Sequence, residues 1–125
     1  MGVDYEFLSG RKNKAPDFVV NIKQDIYIIE HKHVKEGGGG QDKQIDELIE
    51  FVSKKPSKPH VHFVSYLDGY YFNILIRYKL AESSFRGNKL PKPLEQLKSI
   101  RTYLKDNKEN YFINTAGFKE LLNKS

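Results

Sequence analysis

The chain of 125 residues contains no cysteine. Disulfide frameworks, thiolate metal sites and thiol redox chemistry are thereby excluded, and any metal must be held by oxygen or by histidine nitrogen. No run of about 18 apolar residues occurs, which excludes a membrane-spanning helix of ordinary length. The first residues also lack the charged, apolar, small-residue order of a secretory signal, so a soluble, cytoplasmic protein is expected. There is no internal repeat and no linker long enough to separate domains. Residues 1–125 therefore read as a single domain near the commonest domain size.

Charge of one sign is in excess. Against 16 Asp and Glu stand 21 Lys and Arg, a formal charge of +5, which suits a polyanionic partner such as nucleic acid. Excess charge alone does not identify that partner; the spacing of particular residues must.

Residues 1–15 end in the basic SGRKNKA and read as an irregular lead-in. Asp17 to Asn21 and Ile26 to Val34 are aromatic and β-branched, with neither proline nor glycine inside, and read as two strands. The short IKQD between them predicts an antiparallel hairpin. Four glycines at 37–40 end the second strand. Ile45, Leu48, Ile49 and Val52 then fall at helical spacing, predicting an amphipathic helix from about Gln41 to Ser53. KKPSKP breaks that helix. HVHFVSYL reads as a third strand, and Asp68-Gly69 as a turn into a fourth, YYFNILIRYK, giving a second hairpin. After the turn-rich, cationic ESSFRGNKLPK, Pro93 opens a helix traced by Leu94, Leu97, Arg101 and Leu104 and carrying Lys98, Lys105 and Lys108. A short strand YFIN follows, and Thr115 is read as the cap of a closing helix that buries Phe118, Leu121 and Leu122. The order ββαββαβα predicts an α/β or α+β fold, a mixed β-sheet of about five strands flanked by helices.

Within this scheme the charges of PDFVVNIKQDIYIIEHKHV require explanation, because an isolated charge on a buried strand costs several kcal/mol unless it is paired or binds a metal. An even-numbered hairpin connection pairs Asn21 with Ile26, Val19 with Ile28 and Asp17 with Glu30. Both acids then share one face, with opposed Cβ atoms roughly 4.5–5.5 Å apart, and Lys32 lies on the same face by alternation. Two carboxylates so close call for a cation. Asp17 and Glu30, joined by the backbone carbonyl of His31 and by water, make a partial octahedral site for Mg²⁺ or Mn²⁺, suited to a phosphate substrate. Lys32 can orient or deprotonate an attacking water, or offset charge on the phosphorane. His31 and His33 fall on the opposite face with Tyr27 and Ile29, where packing or phosphate contact is a better expectation than a zinc site. GGGGQDK lacks the G-K-[ST] ending of a phosphate loop and reads as a flexible connection.

Pro16-Asp17, twelve residues, then Glu30-His31-Lys32, with a helix and another strand behind, resembles the PD-(D/E)xK nuclease superfamily. Its members include type II restriction endonucleases, Holliday junction resolvases and repair nucleases, and the pattern covers about residues 15–67. The resemblance implies a restriction-endonuclease-like fold, with Asp17 and Glu30 as metal ligands and Lys32 as the catalytic lysine. Many members add an acid from a preceding helix. Here only Asp4 and Glu6 are available, in a lead-in too short for a full helix, and Gln41 and Gln44 match loosely a polar position that members carry on the helix after ExK. Given a phosphodiester site, Arg11, Lys12, Lys14, Lys35, Arg86 and Lys89 are candidate contacts to the DNA backbone.

The expected function is a magnesium-dependent endonuclease acting on DNA, of the type II restriction-endonuclease-like kind, with a Holliday junction resolvase or other structure-selective nuclease as the alternative. One site per chain cuts one strand, so double-strand cleavage calls for a homodimer. Two further classes are a nucleic-acid-binding module without catalysis and a purely structural basic domain.

Overall fold

A computed structural model describes residues 16–36, 40–85 and 90–123. Strand β1 (Phe18–Ile22) turns at Lys23 and Gln24 into β2 (Asp25–His33), and Lys23 takes the left-handed conformation, φ 57°, that closes so short a turn. Helix α1 (Gly40–Val52) leads to β3 (Val61–Asp68), which lies parallel to β2. Helix α2 (Tyr71–Leu80), a short 3₁₀ turn (Glu82–Ser84) and helix α3 (Lys92–Asp106) follow. The short β4 (Tyr111–Ile113) pairs parallel to β3, and α4 (Thr115–Leu122) closes the described chain.

The outcome is a mixed α+β fold with four strands in the order β1-β2-β3-β4, rather than about five in the expected ββαββαβα order. The difference lies in residues 70–79. Their aromatic and β-branched composition favours a strand, yet Tyr71 and Leu75 are buried and Phe72, Ile74 and Tyr78 pack partly against the same core. Tyr71, Leu75 and Tyr78 stand at i, i+4 and i+7, a helical stripe, so tertiary packing overrides strand propensity. Asp68-Gly69 is consequently a strand-to-helix turn.

Alternation along the strands assigns the sheet's two faces. One carries Ile26, Ile28, Val61, Phe63 and Leu67, which pack with Ile45, Leu48, Phe51, Tyr71, Leu94 and Leu97 of α1, α2 and α3. The other carries Tyr27, Ile29, Val64 and Tyr66 against Phe118 and Leu121 of α4. Ser65, fully buried at the centre of β3, donates to the Leu48 carbonyl at 2.5 Å, a contact that seats α1 close on the sheet. The closing helix is capped by Asn114, whose Oδ1 accepts from the Gly117 amide, and not by Thr115; Leu122 is 39% exposed rather than buried.

Two asparagines fasten the C-terminal segment. Asn110 is buried; its Oδ1 accepts from the Phe63 amide at 3.0 Å, and its Nδ2 donates to the carbonyls of Val52 and Lys54 at 3.1 and 2.7 Å. Asn107 donates to the Ser53 and Tyr103 carbonyls. Between them they satisfy backbone groups at the end of α1 and on β3 that burial would otherwise leave unpaired.

Gly69 is the turn's indispensable residue. Its φ of 101° is a conformation that other residues rarely adopt, and a Cβ there would lie 2.5 Å from the Val34 carbonyl oxygen. That oxygen also accepts from the Tyr71 amide, while the Val34 amide donates to Asp68, so the end of β2 and the start of α2 are strapped together across Gly69. Gly69→Ala is expected to lower stability by at least about 2 kcal/mol, from backbone strain and overlap together. Urea unfolding should show a lower midpoint with an unchanged slope.

Candidate functional site

The hairpin register is the even one. Asn21 pairs with Ile26, Val19 with Ile28 and Phe18 with Ile29. Just beyond the last of these pairs the Asp17 side chain crosses to β2, where Oδ2 accepts from the His31 amide at 2.7 Å. Asp17 is exposed, whereas Glu30, on the core of β2, is 2% exposed and engaged in interactions of its own. The neighbour of Glu30 on β3 is the small Ser65. Lys32, two residues on, places its Nζ 3.0 Å from Oε2 of Glu47 on α1, with both side chains partly exposed.

Three elements therefore position these groups: the start of β1, the second half of β2 and the middle of α1. Glu47 was not singled out from the sequence. Its only signal is its place beside the apolar stripe of Ile45, Leu48 and Ile49, on the flank of α1 that turns toward the sheet. Gln41 and Gln44 lie half-buried in the first turns of α1. Glu6, Arg11, Lys12, Lys14, Arg86 and Lys89 fall outside the described residues; Lys35 is exposed just past β2.

On the donor chemistry, the Asp17 and Glu30 carboxylates and the His31 carbonyl are hard oxygens. They fit Mg²⁺, which takes one or two carboxylates and completes its shell with water and substrate oxygen. Among the described residues no group of three His, Asp or Glu side chains is arranged to hold a metal. A closed cage made only of protein side chains is thus absent there.

The opposite face of the same strand ends carries a different network. Asp68 Oδ2 accepts from His33 Nδ1 at 3.2 Å, and Oδ1 accepts from the Thr115 hydroxyl, which in turn accepts from Tyr66. The His33 bond, with those from Thr115 and the Gly69 amide, holds Asp68 below the ordinary aspartate range despite partial desolvation. His31 packs on Tyr66, whose other neighbour is the stacked ring of Phe118. These histidines join β2 to β3 and α4, in keeping with their expected separation from the carboxylate face.

At the far end of the sheet, His62 bridges Oδ1 of Asp25 at 2.9 Å and the Glu109 carbonyl at 2.5 Å, with its ring stacked on Tyr27. This cluster ties β2, β3 and the loop before β4, and it lies away from the Asp17–Lys32 region.

No protein-family model matches the chain, and neither a curated protein nor a solved structure matches it significantly.

The His62 clip generates a pH prediction. The hydrogen bond from His62, reinforced by its charge and by His60, lowers the Asp25 pKa below its ordinary value of 3.8. A depressed carboxylate stabilises the fold fully above its unfolded-state pKa, and this contribution is lost as pH falls through the lower folded-state value. Urea midpoints measured between about pH 5 and pH 2 should fall less steeply for Asp25→Asn than for the parent, from a lower starting point.

Proposed function

We propose that the chain is a divalent-metal-dependent endonuclease that hydrolyses phosphodiester bonds in DNA, with Asp17, Glu30 and Lys32 as its working residues. The observation that carries this reading is the reach of the Asp17 carboxylate across the hairpin to the His31 amide. It brings the first acid of the motif to the backbone of the Glu30-His31-Lys32 segment, where separate strands with an odd register would have turned it away.

When bound, Mg²⁺ supplies Lewis-acid polarisation of the phosphodiester and activation of water. The protein's part is positional. Glu30 is fixed by burial, Asp17 by its bond to the His31 amide and Lys32 by Glu47, so the three groups are oriented before substrate arrives. The Lys32 ammonium can then exchange Glu47 for a phosphate oxygen or hold the attacking water, at small cost, because a partly exposed ion pair is worth about 1 kcal/mol or less. The net charge of +5 supports a polyanionic substrate. Cutting both strands of a duplex requires a second copy of the site, and hence a homodimer.

A second reading draws on the same ion pair. If Glu47 neutralises Lys32 permanently, the chain is a nucleic-acid-binding module without catalysis. Binding without cleavage in Mg²⁺ distinguishes it.

Incubation with supercoiled, linear and four-way-junction DNA should give cleavage with Mg²⁺ or Mn²⁺ and none in excess chelator. Asp17→Asn and Glu30→Gln keep shape and one acceptor oxygen while removing the repulsion between two carboxylates, so melting temperatures without metal should stay within a few degrees of the parent or rise while cleavage collapses. Lys32→Ala should retain DNA binding and slow single-turnover cleavage by about 10²- to 10⁴-fold. Parent-rate cleavage by either acid variant would refute the assignment.

A further inference from the structure

Immediately beyond Lys32, the ends of β2 and β3 and the start of α2 enclose a groove of about 570 Å³, lined by His33, Lys35, Glu36, Gly69, Tyr70 and Ile74. Its volume falls in the ~300–1,000 Å³ range of sites that accept small organic groups. Its floor is firm, because the two backbone hydrogen bonds that strap Val34 to Asp68 and Tyr71 pass beneath it. Tyr70 stands at the mouth of α2 with 45% of its surface exposed, and its carbonyl accepts from the Asn73 and Ile74 amides, which hold the residue in place. The Arg77 guanidinium lies 5.2 Å from the centre of its ring.

An exposed aromatic ring, an aliphatic neighbour and Lys35 in one groove, with the Arg77 guanidinium against the ring, form the combination that takes a nucleotide apart into its two recognisable surfaces. The ring offers a stacking platform for a base, and Lys35 on the lining and Arg77 beside the ring offer contacts for phosphate. Glu36, the one acid on the lining, disfavours a groove that merely follows a polyanionic backbone. A base inside a continuous duplex is stacked on both faces and cannot reach such a platform; only an unpaired nucleotide can.

We propose that this groove receives an unpaired nucleotide of the substrate, with its base stacked on Tyr70, so that the protein prefers single-stranded or branched DNA to intact duplex. The proposal rests on the nuclease reading for the identity of the ligand and extends it to the choice of substrate, favouring a structure-selective enzyme over one that reads sequence in a duplex.

The test measures binding in chelator, where no cleavage occurs, using a short fluorescein-labelled oligothymidylate and a blunt duplex of the same length. Tyr70→Ala should weaken oligothymidylate binding by about five- to a hundredfold and duplex binding by less than about twofold, while Tyr70→Phe should bind both probes as the parent does. Equal losses on the two probes, no loss on oligothymidylate, or a phenylalanine variant as weak as the alanine one would each overturn the groove. So would failure of the parent to bind oligothymidylate. Because Tyr70 is half-exposed, matching melting temperatures for the three proteins should confirm that folding is not the cause. A parallel incubation with Mg²⁺ separates the two proposals. Tyr70-dependent binding with no cleavage keeps the groove and removes the nuclease, whereas cleavage by a parent whose binding ignores Tyr70 keeps the nuclease and removes the groove.

Discussion

Strand β2 is held from both sides, antiparallel to β1 and parallel to β3, and this double pairing is the constraint on which the remaining structure depends. A parallel neighbour cannot be reached by a tight turn, so the chain must cross over through α1 before β3 begins. That crossover buries one face of β2, and α4 buries the other. The buried interior of the strand holds Tyr27, Ile28, Ile29 and Glu30, and its other polar residues stand at the two ends, Asp25 at the start and His31 to His33 at the finish. Glu30 is thus the one acidic side chain within the covered part of the strand, beside the small Ser65 of β3.

Two surfaces emerge from the same strand ends. On one lie Glu30 and Lys32, with α1 supplying Glu47; on the other lie His31, His33 and Asp68, with α4 supplying Thr115. The groove containing Tyr70 opens between these surfaces and α2, at the carboxyl ends of the parallel strands, where open α/β sheets generally present their ligand sites. The proposed chemistry and the proposed choice of substrate would therefore share a rigid frame and differ in the helices that complete them.

The parts legible in the sequence were those decided locally. A two-residue turn admits one register, so the pairings of Asn21 with Ile26 and Val19 with Ile28 could be read from the length of the connection alone, whereas the expected pairing of Asp17 with Glu30 lies beyond the ladder, which ends at Phe18 and Ile29. The stripe of Ile45, Leu48, Ile49 and Val52 similarly gave α1 almost to the residue. Residues 70–79 were misread because Tyr, Phe and Ile suit a pleated surface as well as a helix, and the deciding factor was the space left against α3, a tertiary fact. Thr115 and Asn114 are both capable caps standing side by side, and only backbone geometry chose between them. Glu47 could not be found at all from spacing, since its contact with Lys32 joins a helix to a strand. Asp68 reads as a turn residue because nothing local distinguishes a turn aspartate from one that ends a parallel strand.

Asn110 gives the fold an uneven resistance to opening. Strand β4 is only three residues long, and the segment before it is fastened to α1 and β3 by the carboxamides of Asn110 and Asn107 and by His62. β4 and α4 thus form a unit that can detach while the three-stranded sheet and the crossover helices stay intact, a sub-global opening of the kind that hydrogen exchange resolves. Each such excursion would bare Val64 and Tyr66 and leave β3 as a naked edge, a template for pairing with another chain. Protection of the sheet against self-association is therefore shared between the Asn110 carboxamide, the contact of His62 with the Glu109 carbonyl and the packing of Phe118 and Leu121 on the sheet.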